Sequence, residues 1–301
     1  MPTTDGGIIA RKSANPVIMH MNYCRNDMSI PYVFQKARGW GYDGVECHVE
    51  TSMKDYPSFE AYIADVGEWR ERCGFEHIYF GYSFREAGDP DPAVRGAATE
   101  RAAAFFTLAK EKLGVTLSNI SAGVYILREG VPLFDFDKHG SAAASEEVFG
   151  YHEDSMKQLA GHMEKIGVKL ALETHMCVIH DIPEATVRFI EAIGSPNIGV
   201  NFDYGNYYWH EQCKTLKQTF DSFEGRILYF HLKNSIKLPN LIRFQTQLSE
   251  GQIDHREYLA YIRDRKIAAP IVLEAPREGD REWFAKEDGD YIRAVMEDLD
   301  F

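Results

Sequence analysis

The sequence predicts a single (β/α)₈ barrel, and two observations support this fold class. Short apolar runs alternate with helical patterns eight times along the chain. These runs are hydrophobic at nearly every position, which is typical of parallel strands buried on both faces. The length of 301 residues, without a Pro- or Ser-rich linker, suits one barrel of about 250 residues with extensions. We therefore expect one domain that spans residues 1–301.

The predicted strands are rich in β-branched and aromatic residues and lie at 17–22, 44–49, 77–83, 118–126, 168–174, 198–203, 227–232 and 270–275. Three of the helical patterns end before a glycine or begin at a proline, at residues 58–73, 145–166 and 183–193. The rival fold is an open doubly wound sheet, which normally carries a Gly-rich phosphate turn after its first strand. Residues 22–25 read NYCR instead, so the barrel is favoured.

Composition limits the class of partner. The formal net charge of −13 argues against nucleic acid and anionic membranes, because both attract clustered Lys and Arg. Five scattered cysteines without a Cys-x-x-Cys motif indicate reduced thiols. The first sixteen residues lack the apolar segment of a secretory signal, and no apolar run approaches the roughly 18 residues of a membrane span. These features predict a cytoplasmic protein with a small-molecule partner.

Each of the last four predicted strands ends with a residue type that binds divalent cations. They are Glu173 in LALETH, Asp203 in VNFDYGN, His231 in YFHLKN and Glu274 in IVLEAP. Active sites of such barrels lie at the carboxyl ends of the strands, and an unpaired carboxylate buried in an apolar run is costly. We therefore predict one metal ion there. Three carboxylates and one imidazole favour Mn²⁺, with Mg²⁺, Co²⁺ or Zn²⁺ also compatible.

Strand periodicity extends this site, because residues two apart on a strand share a face. On that basis His175 accompanies Glu173, and Lys233 accompanies His231. We expect His175 to be an additional catalytic base or, alternatively, an outer partner that orients Glu173. Lys233 is expected to bind substrate or else to pair with a ligand carboxylate.

Two histidines on the first strands are further candidates for substrate contacts. His20 and His48 each share a strand face with a polar neighbour, Asn22 and Glu46 respectively. The alternative is that both histidines are packed strand residues without a role in binding.

The order Glu, Asp, His, Glu on strands five to eight resembles the xylose isomerase-like barrels, specifically the sugar phosphate isomerase/epimerase group. The resemblance runs over nearly the whole chain and includes the segments GWGYDGVE, LALETH, GVNFDYGN, HLKN and EGQID. It implies a metal-dependent enzyme of carbohydrate metabolism. By the same resemblance, Glu173 and Glu274 would serve both as ligands and as the catalytic acid/base pair.

The resemblance implies a sugar or keto-sugar isomerase/epimerase that removes a proton next to a carbonyl and forms an enediolate. The alternative is a lyase of the same architecture, either a keto-cyclitol or keto-sugar dehydratase or the catalytic subunit of a 3-keto-C-glycoside deglycosidase. A repair nuclease of this superfamily is disfavoured by the acidic charge. A barrel that has lost activity is disfavoured because all four ligands are present.

The chain departs from the epimerase pattern at two positions. Asn206 stands three residues after Asp203, where the epimerases have His, and Lys237 stands where they have Arg. We expect Asn206 to contact the substrate. Both departures weaken a ketose 3-epimerase assignment, whereas His175 suits a lyase as well as an isomerase.

A long connection follows the seventh predicted strand, at residues 235–250. Its apolar residues Leu238, Leu241, Ile242 and Phe244 would be unusual in a solvated loop. We predict either a lid over the active site or a contact with a second chain. The second chain would be another copy of this protein in a homo-oligomer, or a small second subunit.

Overall fold

The computed structural model describes residues 14–238, 241–244, 246–274 and 279–301. Its strands are β1 Val17–His20, β2 Gly44–His48, β3 His77–Phe84, β4 Leu117–Ala122, β5 Lys169–Glu173, β6 Ile198–Phe202, β7 Ile227–Leu232, β8 Ile236–Leu238, β9 Leu241–Arg243 and β10 Ile271–Leu273. Its α-helices are α1 Ile30–Gly39, α2 Val49–Ser52, α3 Phe59–Cys73, α4 Pro92–Leu113, α5 Glu146–Ile166, α6 Pro183–Ile193, α7 Tyr204–Tyr207, α8 Leu216–Ser222, α9 His255–Asp264 and α10 Arg281–Asp298.

Eight parallel strands close into a barrel in the order β1-β10-β7-β6-β5-β4-β3-β2. A helix follows each of these strands, so the predicted fold class is confirmed. The strands agree with the predicted runs because both of their faces are buried, against the barrel interior and against the helices. Whether residues 1–301 form one domain stays a prediction.

The predicted helix boundaries agree with the capping chemistry. Ser58 and Ser145 accept backbone N–H groups at the first turns of α3 and α5. Gly167 and Gly194 follow α5 and α6 with φ of 67° and 70°. This left-handed conformation ends a helix at low cost only for glycine.

The barrel interior changes from apolar to polar along its axis. A small apolar cluster of Ile18, Ala171, Tyr229 and Val272 fills one layer of the interior. Toward the carboxyl ends of the strands the buried interior side chains are polar, among them Glu46, Asn119 and Asn201. Buried polar groups need partners, so this layer must be a hydrogen-bonded network.

Within residues 235–250 the structure has a two-stranded antiparallel hairpin, β8 paired with β9. Ile242 and Phe244 pack on a cluster that contains Trp209, Cys177 and Phe136. This cluster explains why the connection carries apolar residues. Residues 239, 240 and 245 and the side chain of Leu241 lie outside the described residues.

Other composition-based expectations have partial outcomes. All five cysteines are free thiols. Within the described residues, no helix combines the length and apolarity that a membrane span requires. The predicted absence of a signal segment concerns the first sixteen residues, of which 1–13 lie outside the described residues.

Gly44 at the start of β2 is required by the close approach of β3. A Cβ added there would lie 2.0 Å from the backbone oxygen of His77. We expect Gly44→Ala to lower the free energy of unfolding by at least about 2 kcal/mol, because overpacking against a strand backbone cannot relax. Gly150→Ala in α5, which meets no atom within 4 Å, is the control and should raise stability by about 0.5–1 kcal/mol. Denaturant unfolding measures both values, and equal stabilities would contradict this account.

Candidate metal centre and active site

The structure brings the four predicted metal ligands together at the carboxyl ends of neighbouring strands. Glu173 ends β5, Asp203 directly follows β6, His231 lies near the end of β7 and Glu274 directly follows β10. One ligand atom from each residue lies within 4.8 Å of the others. The cluster is buried, apart from a small exposed part of Glu274.

The distances fit a cation held between these atoms. Nδ1 of His231 lies 3.0 Å from Oε2 of Glu274, 3.5 Å from Oε1 of Glu173 and 3.9 Å from Oδ2 of Asp203. Ligand bonds of about 2.0–2.2 Å place neighbouring ligand atoms roughly 3–3.5 Å apart. Nδ1 of His231 and Oε2 of Glu274 are buried and form a close ion pair without hydrogen-bond geometry, and a cation bound between them would give both atoms a ligand bond.

Asn206 holds two of the carboxylates in place. Asp203 caps the short helix α7, where its Oδ1 accepts the backbone N–H of Asn206 at 3.0 Å. The side-chain Nδ2 of Asn206 donates to Oδ2 of Asp203 at 2.7 Å and to Oε1 of Glu173 at 3.1 Å. Asn206 is thus fixed by the turn after β6 and contacts the ligands. It does not line the large cavity described below, where a substrate contact would have to lie.

Lys233 occupies a position among the ligand carboxylates. Its Nζ lies 2.7 Å from Oδ2 of Asp203 and 3.0 Å from Oε2 of Glu274, and its side chain is almost fully buried. It also donates to Oδ1 of Asn206 at 3.2 Å. The sequence predicts that Lys233 either binds substrate or pairs with a carboxylate of the cluster. The structure shows the ion pairs with the carboxylates, and the Lys233 side chain does not line the cavity. Its ammonium group marks a place where positive charge is stabilised.

These neighbours shift the titration of the ligands. Burial would raise the pKa of Glu173, but His231 outweighs burial and holds that pKa far below its usual range. Burial likewise opposes the low pKa of Glu274, which Lys233 and His20 hold well below its usual value. Burial raises the pKa of Asp203 to about 6.

The pKa of His231 shifts in the opposite direction. Burial would lower it, but the charges of Glu46 and Glu173 raise it well above the usual value for imidazole. In the metal-free protein both ring nitrogens of His231 therefore carry a proton, and a metal ion that binds Nδ1 must displace the proton there.

A cavity of about 630 Å³ opens beside this cluster. Glu173, His231 and Glu274 line it, whereas Asp203 lies outside it. The structure therefore separates the ligands into three that face the cavity and one behind them. The predicted histidines His20, His48 and His175 also line the cavity.

The cavity histidines have defined hydrogen bonds. Nδ1 of His20 accepts the backbone N–H of Asn22 at 3.1 Å. Both nitrogens of His48 contact hydroxyl groups, those of Thr51 and Ser83 at 3.0 and 3.1 Å. Burial lowers the pKa of His48, so this ring is neutral at pH 7.

His175 lies beyond the end of β5, so strand alternation does not place it. Its Nδ1 lies 3.0 Å from the backbone carbonyl oxygen of Met176 and must carry the proton of that hydrogen bond. The other nitrogen, Nε2, is then the basic one. The ring stacks on Tyr125, with centroids 5.5 Å apart and planes at 25°.

The sequence carries no signal for Asn119 or Tyr125, and it indicates Asn22 and Glu46 only as neighbours of His20 and His48, yet all four contact site residues. Asn119 donates to Oε2 of Glu173 at 3.2 Å, and Asn22 donates to Oε1 of Glu274 at 3.2 Å. Glu46, like the predicted ligands, is a residue with a carboxylate in an apolar strand run, but it lies inside β2, and this local signal does not reveal its contact with His231.

Among the described part of residues 235–250, no residue lines the large cavity. The lid form of the prediction therefore has no support in this conformation. The contact with a second chain stays a prediction.

The chain is similar to proteins of known family and known structure. A family model described as "Xylose isomerase-like TIM barrel" matches residues 34–296. Among curated protein sequences, no significant match was found.

Solved structures with this fold include sugar epimerases. A D-psicose 3-epimerase from Clostridium cellulolyticum H10, solved with D-tagatose, is 14% identical with a TM-score of 0.72, and the match covers 93% of this chain and 99% of that one. A xylose isomerase-like TIM barrel protein from Mycobacterium smegmatis, solved with magnesium, is 15% identical with a TM-score of 0.73, covering 95% and 99%. The probable 3-DHS dehydratase AsbF from Bacillus anthracis is 15% identical with a TM-score of 0.69, covering 93% and 98%. Identities this low establish the shared fold alone.

Metal affinity should increase with pH. Because the pKa of His231 is raised, the metal-free site holds a proton at neutral pH that the ion must displace. Loss of one proton per ion makes Mn²⁺ binding about tenfold tighter per pH unit above about pH 6, as long as the pH stays below the raised pKa of His231. Below about 6, protonated Asp203 should steepen this dependence. Calorimetric titrations in two buffers of different ionisation enthalpy measure the protons released, and an affinity independent of pH would contradict the assignment.

Proposed function

The chain belongs to the xylose isomerase-like TIM barrel family, and we propose that it is a divalent-metal-dependent isomerase or epimerase of a neutral keto-sugar. The ion would be held by Glu173, Asp203, His231 and Glu274, with Mn²⁺ the best match to this ligand set. One observation carries the proposal: three of these ligands, including two carboxylates, line a cavity large enough for a sugar. When bound, the ion would polarise the substrate carbonyl and lower the barrier to an enediolate by several kcal/mol.

Glu173 and Glu274 are the proposed acid/base pair. Both carboxylates line the cavity and both have lowered pKa values, so both are ionised at neutral pH. One would accept the proton from the carbon next to the carbonyl. In an isomerisation the same carboxyl group would return that proton to the neighbouring carbon, whereas in an epimerisation the other glutamate, after taking up a proton from solvent, would deliver it to the opposite face of the enediolate. Asp203 has no access to the cavity, which supports a purely ligating role for it.

The charges of the cavity wall favour a neutral substrate. Among its described lining residues, the permanent cation is Arg85, which lies 3.7 Å from the carboxylate of Glu50. Among the residues that the structure describes, an anionic phosphate or carboxylate group would therefore find no cationic side chain in the cavity wall that is free of a carboxylate neighbour. His20, His48 and Ser83 offer the polar contacts that sugar hydroxyl groups need. The likeness to an epimerase solved with D-tagatose supports the same substrate class.

A specific observation favours a lyase as the second candidate. The outer cavity wall includes Val124 and Tyr125, which are about half exposed, and the Tyr125 ring stacks on His175. A flat apolar group attached to a keto-sugar would pack on such a ring. His175, once its Nε2 has taken up a proton from solvent, would give that proton to the leaving atom while Glu173 or Glu274 removes the proton next to the carbonyl. That sequence is a β-elimination.

We also propose a place for the contact with a second chain, next to the outer cavity wall. Leu127, Leu133 and Phe134 are exposed apolar residues on the loop that also carries Tyr125. Exposed apolar residues at one place often mark an interface. We propose that this loop contributes to the contact with another copy of the chain or with a small second subunit.

The paired carboxylates are tested by exchange of solvent deuterium into a panel of ketoses and keto-cyclitols. Glu173→Gln and Glu274→Gln should each reduce exchange by at least about 10³-fold, because each removes a proton-transfer group and a ligand charge. Asp181→Asn, which alters a buried carboxylate outside this cavity, should retain exchange. Near-normal exchange in either glutamine variant, or exchange that persists after chelation of the metal, would contradict the proposal.

The two candidate reactions are separated by substitutions at the cavity mouth. If the protein is a lyase, His175→Ala should abolish elimination from a 3-keto-glycoside with an aromatic aglycone but retain deuterium exchange. Tyr125→Ala should slow elimination about tenfold, the equivalent of one aromatic contact. Trp283→Ala, which alters an exposed aromatic residue outside both this cavity and this loop, is the control and should leave both reactions unchanged. If neither variant distinguishes elimination from exchange, the lyase candidate is wrong and the isomerase stands.

A further inference from the structure

We propose that Glu46 is a positioning residue of the metal centre, which holds the His231 ring so that Nδ1 faces the ion. The inference rests on the metal site of the proposed function. It concerns a carboxylate that is not one of the four proposed ligands and lies on β2, a strand that carries none of them.

Glu46 lies on β2 and His231 on β7, and β1 and β10 separate the two strands. The Glu46 side chain has no exposed surface. Its Oε2 accepts hydrogen bonds from Nε2 of His231 at 2.9 Å and from the hydroxyl group of Tyr229 at 2.6 Å. Tyr229 and His231 are two apart on β7, so both point into the barrel toward the same oxygen.

The hydrogen bond to Glu46 decides which nitrogen can bind the ion. An imidazole has two ring nitrogens, and an ionised carboxylate can only accept, so Nε2 of His231 must carry a proton. Nδ1 is then the remaining nitrogen with a lone pair for a metal, and it points at Glu173 and Glu274. A carboxylate behind a metal-binding histidine fixes the ring orientation and strengthens the ligand.

The surrounding residues are arranged to receive this carboxylate. Oε1 of Glu46 accepts from Nδ2 of Asn119 at 3.3 Å, and the same Nδ2 donates to Glu173. The amide orientation of Asn119 is set by Asn201, which donates to its Oδ1 at 3.0 Å. Gly81 leaves the required space, since a Cβ there would lie 2.7 Å from Oε1 of Glu46. One network therefore orients both His231 and Glu173.

The test measures binding of Mn²⁺ alone by calorimetry at a series of pH values, because the raised pKa of His231 makes the affinity depend on pH. Glu46→Gln keeps the side-chain shape but loses the charge, and it should weaken Mn²⁺ binding about 10–100-fold. The second measurement is the ¹⁵N chemical shift of His231 in the Mg²⁺-loaded protein. The wild type should show the proton on Nε2 alone, and Glu46→Gln should show a mixture of tautomers.

Asp181→Asn is the control for loss of a buried carboxylate elsewhere, and it should bind Mn²⁺ like the wild type. Gly81→Ala displaces the Glu46 carboxylate without changing any charge, and it should also weaken binding. If Glu46→Gln does not fold, the Mn²⁺ affinity of Gly81→Ala tests the role of Glu46.

The possible results distinguish failure of the proposed metal site from failure of the role of Glu46. A wild type that binds no metal would contradict the proposed function. A wild type that binds Mn²⁺, with Glu46→Gln or Gly81→Ala within threefold of it and His231 unchanged, would overturn the role of Glu46 alone.

Discussion

Buried negative charge at the carboxyl ends of the strands is the constraint on which the rest of the site depends. Four carboxylates, those of Glu46, Glu173, Asp203 and Glu274, lie in one layer of the barrel interior. Isolated carboxylates in such a place would cost far more free energy than the fold provides. Cations and amide donors must therefore surround them, and the polar residues of this layer follow from that requirement.

The same constraint links structure to the proposed chemistry. His231 and Lys233 supply positive charge in the metal-free protein, and both contact more than one ligand carboxylate. A divalent ion would take over that role, so metal binding, proton release and the position of Lys233 are one coupled equilibrium. In the proposed mechanism the two carboxylates that face the cavity would move protons, while Asp203 would hold the ion from behind.

The sequence was sufficient to predict the barrel and the cluster of Glu173, Asp203, His231 and Glu274, since both depend on local patterns. Buried strands read as apolar runs, and a Glu, Asp or His at the end of such a run stands out. The role of Glu46 could not be read in this way. It depends on a contact with a residue 185 positions away, which exists only because the barrel closes.

Other site features depend on turns and side-chain directions that no local pattern specifies. Asn206 turns toward the ligands because Asp203 caps the helix that begins there. Lys233 points into the carboxylate cluster, and the Tyr125 loop forms the outer cavity wall.

The most direct test is a crystal structure of the protein soaked in Mn²⁺, with anomalous diffraction recorded at the manganese edge. The account predicts one anomalous peak about 2.0–2.3 Å from one atom each of Glu173, Asp203, His231 and Glu274. It also predicts that Nζ of Lys233 has moved away from Asp203 and Glu274. A map without a peak, with Lys233 still between these two carboxylates, would contradict the central claim.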